Sequence, residues 1–348
     1  MKIGVVGPIS KDKITWPNGD TVAKFGSIMY TASVVAKLAE ETEDEVICLT
    51  HLSPPDVATV RKLLDHPRLT FVCGTDPDNT GTEIELVYVN QQERISRQTR
   101  VMTPISLPEM MTLTDCDYII LMPLNETDIG LEQLQPFRET SKATIFLDLH
   151  GLITGVDEGG KRFKKQWEQS GEWLKAIDIL KMNEQEAAWA AGHSLADFTD
   201  YLDFAVTVVK KGVLACWITF GDQSSLIVWQ RGKKTIWATV PVTHPGTVVD
   251  TIGCGDSASG GFVYSYANLQ SPLLAVVLGN MVGSVKAATY QASDLPTGPT
   301  VKSLISQHYR EYFHEILDEF LFEHQLTIHE IKEETEHESV MHGANGDR

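Results

Sequence analysis

The sequence predicts an α/β fold built on a mostly parallel sheet. Short apolar runs rich in β-branched residues alternate with longer segments of helical period, and the alternation runs through most of the 348 residues. Composition agrees: 42% apolar and 22% charged residues, with seven Trp and twelve Phe, supply a sizeable core and exclude a disordered chain. The length suits two average domains or one large α/β domain.

In chain order, the buried strand candidates are Ile3–Val6, Glu45–Leu49, Leu69–Cys73, Tyr118–Met122, Thr144–Leu147, Ile177–Met182 and Cys216–Phe220. Helical patterns lie between them at Thr31–Ala39, Val57–Leu64, Leu131–Arg138 and Gly160–Trp173. Ser225–Gln230 and Thr235–Val240 read as strands joined by the hairpin turn Arg231-Gly232-Lys233-Lys234. Helices Ser257–Asn268, Pro272–Gln291 and Val301–Glu323 are expected to follow. Thr82–Asn90 alternates apolar and polar residues, so it should be half-exposed and antiparallel, with Glu93–Met102 returning beside it. Together with Lys13–Lys24 it suggests a flap off the main sheet.

Charge limits the partners. Acidic residues number 47 against 29 basic, a formal charge of −18 that repels phosphodiester backbones and anionic lipid. Nucleic acid and membrane surfaces are therefore not expected as partners. A small anion held by backbone N–H groups, a helix N-terminus and Mg²⁺ is compatible with that charge. Cys48, Cys73, Cys116, Cys216 and Cys254 have no C-x-x-C spacing, which fits reduced thiols in the cytoplasm. The first residues form no signal-peptide apolar region, and Leu273–Val285 is too short to span a bilayer, so a soluble protein is expected.

The run Val248-Val249-Asp250-Thr251-Ile252-Gly253-Cys254-Gly255-Asp256 carries chemistry. Gly253 and Gly255 let successive N–H groups point into one concavity, and the helix that follows adds its positive end. This loop should hold an anion. Asp256 beside it would be repelled by phosphate, which raises its pKa and suits it to accept a hydroxyl proton.

Asp-Thr-Ile-Gly-Cys-Gly-Asp at 250–256 resembles the D-T-x-G-[AC]-G-D signature of the ribokinase-like (PfkB family) sugar and nucleoside kinases. Gly260-Gly261-Phe262 is similar to that family's G-G-F. Asn183-Glu184-Gln185-Glu186 resembles its N-x-x-E, and Thr219-Phe220-Gly221 its T-x-G nucleotide loop. Order and spacing match from residue 1 to about 322. The resemblance implies a ribokinase-like three-layer α/β/α core with a small β lid from segments about 13–27 and 79–103. The tail over 323–348, acidic and poor in large apolar groups, should be mobile.

Residue by residue, the resemblance makes Asp256 the base for the accepting hydroxyl and the N–H groups of Gly253, Cys254 and Gly255 the anion hole. Asn183 and Glu186 are similar to the pair that orders Mg²⁺ through water, although Asn-x-x-Glu is also a capping box. Thr219, Gly221 and Asn280 would approach ATP. Asp12 and Gly26 would meet the acceptor. Asp250 and Ile252 match positions near a monovalent-cation site of some relatives, but Ala288 to Asp294 aligns poorly with its downstream half, so a K⁺ requirement stays open. Among partners, a homodimer through the lid is left open.

Departures fall on the margins. Tyr30-Thr31 stands near the place of the family's Asn, and Leu149-His150-Gly151 follows Asp148 where the family has P-N-x-R. Ser224 replaces a second glycine after Gly221. The expected activity is ATP-dependent phosphorylation of a sugar or polyol. A nucleoside kinase is the alternative, with Trp16, Met29 or Tyr30 against a base, and an inactive ligand-binding relative is another. A nicotinamide dehydrogenase is disfavoured, because no G-x-G-x-x-G follows the first strand.

Overall fold

A computed structural model of the protein describes residues 1–74, 78–89, 94–289, 294–309 and 329–331. The first half runs β1 (Lys2–Val6), β2 (Ser10–Thr15), β3 (Thr21–Phe25), α1 (Ile28–Leu38), β4 (Glu45–Thr50), α2 (Pro54–Leu63), β5 (Leu69–Cys73), β6 (Thr82–Tyr88) and β7 (Arg94–Arg100). It continues through α3 (Leu107–Met111), β8 (Tyr118–Leu121), α4 (Leu131–Thr140), β9 (Thr144–Asp148), β10 (Thr154–Val156) and β11 (Arg162–Lys164). Then come α5 (Ser170–Ala176), β12 (Ile179–Asn183), α6 (Glu184–Ala191), α7 (Phe198–Lys210), β13 (Ala215–Phe220), β14 (Ser224–Arg231) and β15 (Lys234–Pro241). The helices α8 (Cys254–Leu269), α9 (Pro272–Ala287) and α10 (Gly298–His308) precede a short β16 (His329–Glu330).

The main sheet has the order β16-β15-β14-β13-β12-β9-β8-β1-β4-β5. From β13 to β5 every pairing is parallel, whereas β13 to β16 are antiparallel. Strand alternation explains how it is covered. Phe146 and Trp217 point into a core shared with α1, α8 and α9, while Leu147 and Ile218 point into one shared with α4, α5 and α7. Burial on both faces is why these strands read as continuous apolar runs rather than alternating ones. The result is the expected three-layer α/β/α core.

A second, four-stranded sheet of order β3-β2-β6-β7 forms the lid. Its hairpins are antiparallel, but β2 and β6 pair in parallel from Ser10↔Thr82 to Thr15↔Val87. Ile14, Ile84 and Leu86 make its small apolar core, with Leu124 and Ile252 of the main body packed against them.

Two expectations differ from the structure. Gly160–Trp173 is not one helix: Gly160 turns at φ 79, Arg162–Lys164 pairs with Thr154–Val156, and helix begins only at Ser170. Within the expected tail, His329–Glu330 pairs with Ile236–Trp237, and the His329 ring stacks on Trp237 at 3.9 Å. The remainder of that tail, and the expected helix beyond 309, lie outside the described residues. Among the described residues no helix is long and apolar enough to cross a membrane.

Candidate active site

The parallel strands end along one edge of the sheet, where open α/β folds bind ligands. There, under the lid, a cavity of about 690 Å³ is lined by residues that include Asp12, Ser27, Asp148, Asn183, Glu186, Gly253, Gly255 and Asp256. Six of the sequence-predicted residues thus line one cavity: Asp12 on one wall, and Asn183, Glu186, Gly253, Gly255 and Asp256 on the others, with Gly26 outside the lining but packed against Asp12.

Asp12 reaches the cavity by strand parity. Ser10, Asp12 and Ile14 face inward along β2, while Lys11 and Lys13 face out to Asp56 and Glu85. Asp12 is 6% exposed despite its two lysine neighbours. Gly26 gives it room, because an added Cβ there would lie 2.6 Å from Asp12 Oδ2.

The loop at 250–253 turns at Gly253, φ 80, and α8 starts immediately after it. A Cβ at Gly253 would lie 2.4 Å from Tyr30 Cδ2, so the loop needs glycine for both conformation and space. Tyr30 and Met29 are buried, and Trp16 stacks on Tyr88 in the lid at 4.5 Å; none of the three lines the cavity. Cys254 contributes its place in the turn, since burial pushes its thiol up to about 11 and keeps it protonated.

Asp256 stands in the first turn of α8. Burial, then the carboxylates of Asp148, Asp12 and Glu186, push it up to about 7, against the opposing pull of Lys181. A carboxyl that gains and loses its proton near neutrality is well matched to general-base work.

Asn183 and Glu186 form the capping box of α6. Glu186 N donates to Asn183 Oδ1 at 2.8 Å, and Asn183 N donates to Glu186 Oε2 at 2.9 Å. Glu186 is 2% exposed, and its Oε1 also meets His150 Nδ1 at 2.8 Å and Lys164 Nζ at 3.5 Å. Burial pushes the Glu186 carboxyl up, but His150, Lys164 and Lys181 outweigh it and hold it well below the usual carboxylate range. A carboxylate has about four acceptor positions, so this geometry leaves room for one water of a hydrated ion. Asn183 and Glu186 are the residues here that could hold Mg²⁺ through water.

Sequence reasoning missed the cations here. Lys181 is 5% exposed in β12, donates to Asp148 Oδ2 at 2.7 Å, and stands 3.3 Å from where a Cβ on Gly255 would be. Ser259 Oγ also donates to Asp148 Oδ2, at 3.0 Å, which ties this pair to α8. Arg162 and Lys164 come from the β10–β11 hairpin and line the same cavity. The usable signal was Lys181 itself, a lysine at a buried strand position that must be paired to be tolerated.

The other predicted residues lie apart from the cavity. Thr219 lies one residue before the end of β13, beside Asn183, and Gly221 turns openly at φ 58. Asn280 is engaged inside the fold: it accepts from Ser225 Oγ at 2.8 Å and donates to Val240 O at 3.3 Å, which pins α9 to the sheet. The expected K⁺ site does not fit a free ion. Lys286 Nζ lies between Asp250 O at 3.3 Å, Asp250 Oδ2 at 3.4 Å and Thr289 O at 3.3 Å.

A doubly covered, mostly parallel sheet with a β lid over Asp256 defines the ribokinase-like kinase fold. Residues 162–298 match the pfkB family carbohydrate kinase model. Ribokinase of Haemophilus influenzae is 30% identical over 129 residues, which is 37% of this chain and 40% of that protein. The alignment thus spans less than half the length of that relative. Among solved structures, a pyrophosphate-dependent kinase of the ribokinase family, in its sulfate complex, superposes with a TM-score of 0.70 at 17% identity. That match covers 84% of this chain and 98% of the other. Arabidopsis thaliana ribokinase, complexed with ribose and ATP, gives 0.67 at 15% identity, over 87% and 98% of the two chains. At these identities the likeness is one of fold.

Proposed function

We propose that the protein transfers the terminal phosphoryl group of ATP to a hydroxyl of a small sugar or polyol. The observation that carries the reading is Asp256, raised to about 7 at the start of α8 in one cavity with the buried Asp12. Asp12 accepts hydrogen bonds from acceptor hydroxyls and orients one of them toward Asp256. Asp256 takes that hydroxyl's proton as its oxygen bonds to phosphorus, and the bridging P–O bond breaks to release ADP. The N–H groups at Gly253, Cys254 and Gly255, with the end of α8, stabilise charge on the moving group. Lys181 adds a fixed positive charge beside them. Mg²⁺, held through water by Glu186 and Asn183, would neutralise the donor phosphates. Thr219 and Gly221 approach the nucleotide from the end of β13.

The test is ATP consumption across a panel of sugars, polyols and nucleosides, with the Asp256→Asn protein as control. Turnover confined to nucleosides would replace the sugar reading with the nucleoside one, and nucleotide binding without turnover on any alcohol would leave a ligand-binding protein. A second donor is favoured by Arg162, Lys164 and Lys181, three cationic side chains lining the cavity, and by the pyrophosphate-dependent kinase among the neighbours in fold. The same panel run with pyrophosphate in place of ATP decides between them. We further assign the lid as a homodimer surface, because Val87, Val89 and Ile95 are 40%, 53% and 42% exposed there. Light scattering of the purified protein measures that state.

A further inference from the structure

We propose that the ammonium of Lys286 is a built-in replacement for a monovalent cation, and that it holds the catalytic loop in its working shape. The inference rests on the reading of residues 250–256 as that loop. Lys286 is on the last turn of α9 and is 0% exposed. Two backbone carbonyls, of Asp250 and Thr289, and the Asp250 carboxylate converge on its Nζ at 3.3–3.4 Å. The Tyr30 ring lies 5.2 Å away, its face available to a cation.

Carbonyls and a carboxylate gathered around one point, with an aromatic face beside them, form a receptor for a weakly hydrated monovalent ion. Here the chain fills that receptor from within. The position matters because the same residues build the active loop. Asp250 Oδ1 accepts from Ile252 N at 3.0 Å, and Val249 N and Asp250 N both donate to Ala287 O, at 2.7 and 3.1 Å. The turn at Gly253 follows directly, packed on the same Tyr30 ring. Lys24 Nζ, from the lid, meets the same Asp250 Oδ2 at 2.6 Å, so two ammonium groups share one carboxylate. Removing the Lys286 ammonium leaves the Asp250 and Thr289 carbonyls facing each other around a void. Lys286 is thus a positioning residue: it touches neither acceptor nor donor and acts through Asp250 and the loop.

The experiment compares the natural protein with Lys286→Met in buffers of potassium, ammonium, sodium or choline chloride at equal ionic strength. The natural protein should turn over and melt alike in potassium and choline. The variant should lose turnover in choline and recover it in potassium or ammonium but not sodium, by a factor within the roughly 5–150-fold range of ligand couplings. Its melting temperature should rise in the same order. The melting arm needs no substrate, so it stands even if the kinase reading fails. Activation or stabilisation of the natural protein by potassium overturns the proposal, and that arm needs no variant to fold. A variant as active as the natural protein, with no response to cation, overturns it as well.

Discussion

Replacing Asp256 with Asn should do two opposite things: slow phosphoryl transfer and stabilise the fold. In the unfolded chain this carboxyl ionises near 3.8, whereas burial and three neighbouring acids hold it near 7 in the folded protein. Between those values the folded state keeps a proton that the unfolded state has released, so stability falls as pH rises from about 4 to 7 and is level above. A displacement from 3.8 to about 7 corresponds to at most about 4 kcal/mol, and relaxation of the half-buried group will lower that. The amide carries no such penalty. Urea melts of both proteins at pH 5 and pH 8 should therefore show the variant's advantage growing with pH, by about 1–3 kcal/mol. Turnover should drop by roughly 10²–10⁴-fold with donor binding kept, as expected when a general base is removed. In the natural enzyme the rate should rise with pH through about 7. An advantage that does not change with pH would refute the electrostatic account, and near-normal turnover would refute the role.

Asp12→Ala should raise the acceptor KM at least about tenfold, and leave the donor KM within about threefold, because charge-assisted bonds to hydroxyls are lost on one substrate only. An unchanged acceptor KM would place the acceptor elsewhere in the cavity. Glu186→Gln should raise the Mg²⁺ concentration for half-maximal rate and lower the melting temperature, since His150 and Lys164 lose a charged partner. A lower melting temperature with unaltered Mg²⁺ dependence would leave Glu186 a capping residue alone. Gly253→Ala forces a side chain to φ 80 and against Tyr30, so roughly 1–3 kcal/mol of stability and most of the turnover should be lost. Thermal melting and steady-state rates measure both.

The sheet and the turn at Gly253 before α8 were legible because their signals are local. A parallel strand buried on both faces is a run of apolar residues, and Gly-x-Gly before a helix marks a tight turn that only glycine shapes easily. The β10–β11 hairpin was not legible. Each of its strands is only three residues long, and Lys161 to Lys165 mixes charged and apolar residues in a way that also suits a helix. Because that hairpin was read as helix, Arg162 and Lys164 were missed as lining residues. Asp12 was found only through the family motif, since its neighbours alone describe a surface turn. Lys286 lies 36 positions from Asp250, and its role depends on how the end of α9 docks, which no local pattern encodes.

The parallel pairing of β2 with β6 has a consequence for engineering. The lid is made from two separate excursions of the chain, one leaving after β1 and the other after β5, stitched along Ser10–Thr15 and Thr82–Val87. It is not a cassette. A chimera that imports only one excursion from a relative would present mismatched partners along six consecutive backbone pairs. Exchanging acceptor preference by recombination therefore requires both crossovers at once, with Leu124 and Ile252 carried along as the floor on which the lid rests.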